Sequence, residues 1–460
     1  MALLKTVSGT RGTLGGQQGD NLTAFDVVET AAAYGQWLLE SGNKPLVLVG
    51  RDGRISGPVI QPLVMNTLMM LGIDIIDCDL TTTPTIEMAV TKENAGGGII
   101  LTASHNPGNW NALKLLNEKG EFLSALDGER ILEIAKNAKI NFADADKLGK
   151  VISKTDYIPY HIEQIFCLPI LNIDKIKEKR YKVVVDAINS TGALAMPPLL
   201  EKLGCEVFVV NGEINGEFAH NPEPLMKNLI GLSNAVKENN ADVGIAVDPD
   251  VDRLALMCED GTMFGEEYTL VAAADLVLKN KVGNTVSNLS STMALRDVTN
   301  KAGGKYFSSK VGEVHVVEKM KSVSAVIGGE GNGGVIYPEL HYGRDALVGI
   351  AMILSLLSEE NISLSALRDS YPKYVIEKQK LELPDRSVLS RVFKKIEEKY
   401  SHCELNKIDG IRIQVNPHEW LHIRGSNTEP IVRIYGESGS ADSAAQLVNE
   451  VKDYITKMLN

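Results

Sequence analysis

Asp248, Asp250 and Asp252 alternate with Pro249 and Val251 directly after the apolar run Val243–Val247. Three carboxylates so close repel one another unless a cation lies among them, and hard oxygen donors in this pattern suit magnesium, with water or phosphate completing the shell. A calcium-binding helix–loop–helix is a rival reading, because Glu259 falls where such a loop carries its last acidic ligand. Against it, Arg253 stands where that loop turns on glycine, and the flanks read as strands. A solvated acidic turn is the remaining alternative.

Ser104 lies in a second polar turn, Thr102-Ala-Ser-His-Asn-Pro107. A serine there can act as a nucleophile if a metal or base activates it, and His105 is adjacent. No G-x-S-x-G elbow is present, so a hydrolase triad has little support. Lys114 could serve as an acid–base group or phosphate ligand, although any one lysine reads first as a surface residue. A third turn, Gly329-Glu-Gly-Asn-Gly-Gly334, matches the dinucleotide fingerprint literally. Val335-Ile-Tyr-Pro338 follows it where a helix should open, so the match is accidental. Its glycines suit close approach of a polyhydroxylated ligand, with Glu330 accepting from two hydroxyls and Asn332 beside it. A fourth turn supplies Arg424, Ser426, Asn427 and Thr428, whose guanidinium, hydroxyl, amide and N–H groups match a phosphate dianion. A capped turn before the next strand explains the same residues equally well.

Three of these turns end similar stretches of chain. Runs at 46–50, 73–77 and 98–101 read as strands, as do 182–186, 206–210 and 243–247, and then 284–289, 305–307 and 324–327. Helical periodicity lies between them, as over 59–71. Strand–helix–strand alternation implies mainly parallel sheets, with ligands beyond the carboxyl ends of strands. The three turns therefore read as walls of one cleft. From about 371 the pattern changes to strands at 373–383, 411–415, 420–423 and 431–437, with helices over 386–400 and 441–459. The predicted architecture is three similar mixed, mainly parallel α/β domains (1–150, 151–258, 259–370) and a smaller α+β domain (371–460). The charged stretch 174–180 reads as a solvated connection.

Composition limits the partners. Lys and Arg total 47 against 59 Asp and Glu, a net charge of −12, which speaks against nucleic acid or an anionic membrane as ligand. Cysteines 78, 167, 205, 258 and 403 form no cluster, which fits a reducing compartment. The start of the chain has no signal-like run, and the apolar stretch 347–357 is shorter than the roughly 20 residues that span a bilayer. A cytoplasmic protein acting on small molecules is the expectation.

Taken together, the chain resembles the α-D-phosphohexomutase family along nearly its whole length. The matching segments occur in the family's order: Gly50–Gly57, Thr102–Pro107 with Asn111 and Lys114, Pro222-Glu-Pro224, Asp248–Arg253, Gly328-Gly-Glu330 and Arg424–Pro430. The resemblance implies four domains round a central cleft and Ser104 carried as phosphoserine. It implies magnesium on Asp248, Asp250 and Asp252 against that phosphoserine, with Lys114 and His105 as acid–base groups and Arg253 near the transferring phosphoryl group. Glu330 and Asn332 would meet the sugar, while Arg424, Ser426, Asn427 and Thr428 would grip the non-reacting phosphate. A hexose 1,6-bisphosphate would be intermediate and activator, and the protein a monomer or homodimer.

The chain also departs from the family pattern. Leu14 stands where the amino-terminal motif has arginine, a role Arg11 would take over. Ala112 replaces a glycine, Asn332 a common serine, and Glu313 follows Lys310-Val-Gly312 where glucose/mannose-type members often have histidine. These features resemble the archaeal-type phosphoglucosamine mutases most, with an acidic Glu313 suited to a 2-ammonium group. Phosphomannomutase or phosphoglucomutase is the alternative. A sugar-phosphate-binding relative without turnover is a further one. Arg11, Arg51, Lys114, Arg253 and Arg424 are expected to make the cleft basic.

Overall fold

The computed structural model describes residues 3–137, 139–426 and 431–459. The second unit shows the repeating plan most simply. Lys182–Asp186 is central, with Glu206–Val210 parallel on one side and Val243–Val247 parallel on the other. An antiparallel strand, Leu254–Cys258, closes the edge beyond Val243–Val247. Val183, Val184 and Val185 are fully buried, as expected for a strand covered by helices on both faces.

The first unit repeats this order with Leu46–Arg51, Asp74–Leu80, Gly97–Leu101 and the antiparallel Trp110–Leu116. The third repeats it with Asn284–Asn288, Tyr306–Ser309, Ala325–Glu330 and the antiparallel Gly334–Ile336. In each unit the chemically equipped turn joins the last parallel strand to the antiparallel one, so one topological position supplies three loops. The first sheet is widened by Leu4–Thr6 and Gly9–Thr13 at one edge and by Val151–Ser153, just past the boundary expected at 150, at the other.

The stretch 174–180 is a helix, Ile173–Lys179, rather than a solvated connection. Asn172 caps it by accepting from the Lys175 N–H at 3.2 Å, and Ile176 is buried. Its charged residues cover the solvent side of a helix held to the core by Ile176 and Ile173. The core helix Ala346–Glu360 is buried from Ala346 to Ser358. Among the described residues no single helix is long and apolar enough to cross a membrane.

The fourth unit is an antiparallel sheet in the order Val375–Glu382, Ile431–Ser438, Glu419–Gly425, Ile411–Asn416, Glu404–Asn406. Helices Leu389–Lys399 and Ala441–Leu459 bury Val392, Ile396, Val448, Val451 and Ile455 against it. Polar contacts join it to the third unit: Ser290 Oγ lies 2.8 Å from His422 Nδ1, and Val311 N–H donates to Asp409 at 3.0 Å.

Candidate active site

Ser104 sits in the left-handed backbone region, φ 49°, which costs a non-glycine residue energy unless its surroundings hold it. The holding group is Arg54, which is fully buried. Its Nη2 donates to the carbonyls of Ser104 (2.6 Å) and Asn106 (2.7 Å), and its Nη1 to those of Pro107 (2.6 Å) and Trp110 (2.9 Å). Nε donates to Asp52 at 3.0 Å, so all five guanidinium donors are used. Asp52 also accepts from Thr102 Oγ1 (2.6 Å), which in turn accepts the Ser104 N–H (3.0 Å). Arg51 takes no such part. It is bonded to Gln61 (2.9 Å) and Asp79 (2.7 Å) of its own unit.

The Ser104 hydroxyl donates to Asp248 Oδ2 at 2.6 Å across the boundary between the first two units. Asp248, Asp250 and Asp252 are fully buried, and one oxygen from each lies within 4.8 Å of the others. The turn that converges them places Val251 at φ 65°, a strained conformation for a β-branched residue. Burial and the neighbouring Asp252 and Asp250 push the Asp248 carboxyl well above its usual range. Asp250 Oδ2 accepts from Thr83 Oγ1 and Lys114 Nζ, both at 2.6 Å, and Asp252 Oδ2 accepts from Lys114 at 3.1 Å. Asp250 Oδ1 and Asp252 Oδ1 are buried without a hydrogen-bond partner. Such oxygens need a cation, and the all-oxygen donor set fits a hard divalent one. Glu259 is bound to Ser365 (N–H donor at 3.2 Å), so the calcium-loop reading fails.

The proton-carrying groups fall on both sides of neutrality. Although burial opposes it, Asp250 and Asp252 raise the Lys114 ammonium above its ordinary pKa. Burial and the positive charge of Arg253 push His105 down to about 2, so its ring is neutral. His105 Nδ1 lies 3.4 Å from Ser104 Oγ. Arg253 Nε is buried without a hydrogen bond, 3.9 Å from Asp252 Oδ1. Arg11, on strand Gly9–Thr13, is near enough for partial desolvation and Arg253 to lower its pKa.

The third unit holds a residue that sequence reasoning passed over. Arg344 is buried, and Nη2 donates to Asp252 (2.7 Å), Nε to Glu313 (2.9 Å) and Nη1 to Glu330 (3.1 Å). Glu330 also accepts from Asn288 Nδ2 (2.9 Å) and Gly312 N–H (3.1 Å). Asn332 bridges the turn, with Oδ1 accepting from Gly334 N–H at 3.3 Å. Both Glu313 oxygens are taken by Arg344, through its Nε and its N–H (3.0 Å). Glu313 is therefore not the open ammonium acceptor that its position in sequence implied. A cavity of about 440 Å³, lined by Phe122, Asp127, Glu313, Lys321 and Tyr342, opens beside it between the first and third units. The signal for Arg344 was only its place before the capping Asp345.

On the fourth unit, Arg424 lies 3.4 Å from Asp409 and keeps Nε buried without a hydrogen bond. Ser426 is buried and its N–H donates to the Ile431 carbonyl at 3.0 Å. Asn427 and Thr428 lie outside the described residues.

Fold and site define an α/β protein of three repeated units and a fourth, with a serine hydroxyl set against an acidic triad. Models of the phosphoglucomutase/phosphomannomutase α/β/α domains I, II and III match residues 3–141, 157–261 and 264–374, and that of the C-terminal domain matches 389–453. A phosphoglucomutase/phosphomannomutase of Thermococcus kodakarensis is 34% identical over 95% of this chain and 96% of its own. A phosphoglucosamine/phosphogalactosamine mutase of Sulfurisphaera tokodaii is 32% identical over 94% and 96%. The crystal structure of a phosphoglucomutase/phosphomannomutase family protein from Burkholderia thailandensis superposes with a TM-score of 0.83 at 25% identity, over 98% of this chain and 95% of that one. The chain belongs to the phosphoglucomutase/phosphomannomutase family and is an isomerase of the phosphohexomutase type.

Proposed function

We propose that the protein interconverts hexose 6-phosphates and hexose 1-phosphates through a phosphoserine at Ser104, with glucosamine 6-phosphate the preferred substrate. The observation that carries the reaction is the Ser104 hydroxyl held 2.6 Å from Asp248 at the rim of the triad. Asp248, Asp250 and Asp252 would hold magnesium, which supplies neutralisation of charge on the transferring phosphoryl group. In the forward half-reaction the Oγ–P bond of phosphoserine breaks as a bond forms from phosphorus to a sugar hydroxyl oxygen. The hydroxyl proton leaves to a base, and the freed Ser104 oxygen accepts a proton. His105, with Nδ1 3.4 Å from Ser104 Oγ, and Lys114, bonded to Asp250 and Asp252, are the groups placed for these two transfers. A hexose 1,6-bisphosphate results, turns round, and returns its other phosphoryl group to Ser104. Glu330 and Asn332 receive the sugar, while Arg424, Ser426, Asn427 and Thr428 hold the distal phosphate; Arg253 and Arg11 add positive charge.

The glucosamine preference rests on relatives such as the Sulfurisphaera tokodaii enzyme. A second reading, phosphoglucomutase or phosphomannomutase, is favoured by the engagement of both Glu313 oxygens with Arg344, which already balances the negative charge an ammonium would seek there. Side-by-side turnover of glucosamine 6-phosphate, mannose 6-phosphate and glucose 1-phosphate decides between them. Absence of turnover of all three, with the bisphosphate present, overturns the mutase assignment.

A further inference from the structure

Apart from the serine cleft, a second set of metal-binding side chains is buried where three units meet. His161 comes from helix Tyr157–Phe166, and His341 and Asp345 from the turn before helix Ala346–Glu360. One donor atom from each lies within 4.8 Å of the others. Asp345 Oδ2 is 2.9 Å from His161 Nε2 and 3.3 Å from His341 Nε2. Donors about 2.0–2.1 Å from a tetrahedral zinc stand roughly 3.3 Å from one another, so two of the three separations are near those of a coordination shell.

The atoms behind the donors are arranged to match. His161 Nδ1 lies 3.0 Å from Thr85 Oγ1, and His341 Nδ1 faces Glu87 Oε2 at 3.2 Å, both residues on helix Thr83–Lys92 of the first unit. Metal-bound imidazoles are oriented by such oxygens on their other nitrogen. Asp345 Oδ1 accepts the N–H groups of Leu347 (2.8 Å) and Val348 (3.3 Å), which leaves Oδ2 turned to the rings. Glu87 is 1% exposed, and neither of its oxygens has a well-aligned hydrogen bond. A Cβ on Gly343 would come within 1.7 Å of Glu87 Oε2, so the turn closes directly over this carboxylate. Two buried carboxylates among two imidazoles are neutralised by one divalent cation or by two added protons.

We propose that His161, His341 and Asp345 bind a borderline divalent cation of the zinc type, separate from the all-oxygen site at Asp248, Asp250 and Asp252. Imidazole donors select zinc or cobalt over magnesium. The His341 side chain, 11% exposed, gives solvent access for a water as fourth ligand. The cation clamps the turn that carries Arg344, and through Arg344 the three carboxylates Asp252, Glu313 and Glu330.

Cobalt titration of the metal-free full chain tests this. Cobalt held by two imidazoles and a carboxylate in four-coordinate geometry has an intense visible band, whereas octahedral cobalt on oxygens alone absorbs faintly. The expected result is one equivalent of the intense band in wild type and in Asp250→Asn, displaced by zinc and absent from His161→Gln and His341→Gln. Glu87→Gln should keep the band with ~10–100-fold weaker affinity. No intense band in wild type, or a band that survives in both histidine variants, overturns the proposal. The wild-type spectrum is decisive even if a variant fails to fold.

Discussion

Arg344 Nη2 donates to Asp252 Oδ2 at 2.7 Å, joining residues 92 positions apart and the third unit to the second. The same guanidinium holds Glu313 and Glu330, so the acidic turn and the sugar-facing turn share one cation. Removing it leaves the buried Glu313 carboxylate without a cation and takes one of the donors from Asp252, which keeps Lys114, and from Glu330, which keeps Asn288 and the Gly312 N–H. Arg344→Gln should cost about 3–5 kcal/mol in denaturant unfolding and lower kcat/KM by ~10²-fold or more. Arg344→Lys keeps the charge without the fork and should recover only part of kcat/KM. Wild-type kinetics in a folded Arg344→Gln would contradict the coupling.

Ser104→Ala removes the oxygen that carries the phosphoryl group. Intact mass after incubation with glucose 1,6-bisphosphate should show a phosphorylated wild type and an unmodified variant. Turnover should fall by ~10³-fold or more. Retained turnover would place the nucleophile elsewhere.

Asp250→Asn leaves the hydrogen bond from Thr83 feasible but replaces a charged metal-facing oxygen. The expected outcome is a right-shifted magnesium dependence and a kcat ~10²–10³-fold lower. Chelation of divalent ions should silence the wild type, with activity restored by added magnesium.

Arg54 supports the Ser104 turn without facing the cleft. Arg54→Met removes one donor from each of four carbonyls and the buried cation beside Asp52, a loss of about 3–5 kcal/mol. Folded protein should also lose phosphoserine formation. Calorimetry together with intact mass checks both.

His422 gives a pH signature to the junction of the third and fourth units. Burial pushes its pKa down to about 4, and the ring is held between Ser290 and the Asp409 carbonyl. The unfolded chain takes up the proton first, so this contribution to stability is lost as pH falls from about 6.5 towards 4. The slope reaches at most ~1.4 kcal/mol per pH unit. Urea unfolding across that range should show it in wild type, and His422→Gln should flatten it.

How much of this was legible before folding depends on how local each signal is. Lys182–Asp186, Glu206–Val210, Val243–Val247 and helix Ala441–Leu459 follow from apolar periodicity within a few residues, and their observed limits are those expected. The polar turns after Gly97–Leu101, Val243–Val247 and Ala325–Glu330 were legible for the same reason: each is a short string of unusual composition ending a strand. The antiparallel strand Trp110–Leu116 was not, because Asn111, bonded to Ser56, and Lys114, bonded to Asp250 and Asp252, interrupt its apolar pattern. Neither were Arg54 and Arg344 as holders of the two turns, nor Glu313 as the partner of Arg344. An isolated arginine or glutamate carries no mark of its partner, and the pairings with the turns span from 14 to 92 residues. Composition and order along the chain determined the repeated fold and the types of group in the cleft. Tertiary structure alone decided which charges meet, since burial removes water as a partner and leaves each carboxylate to the cation that packing brings within reach.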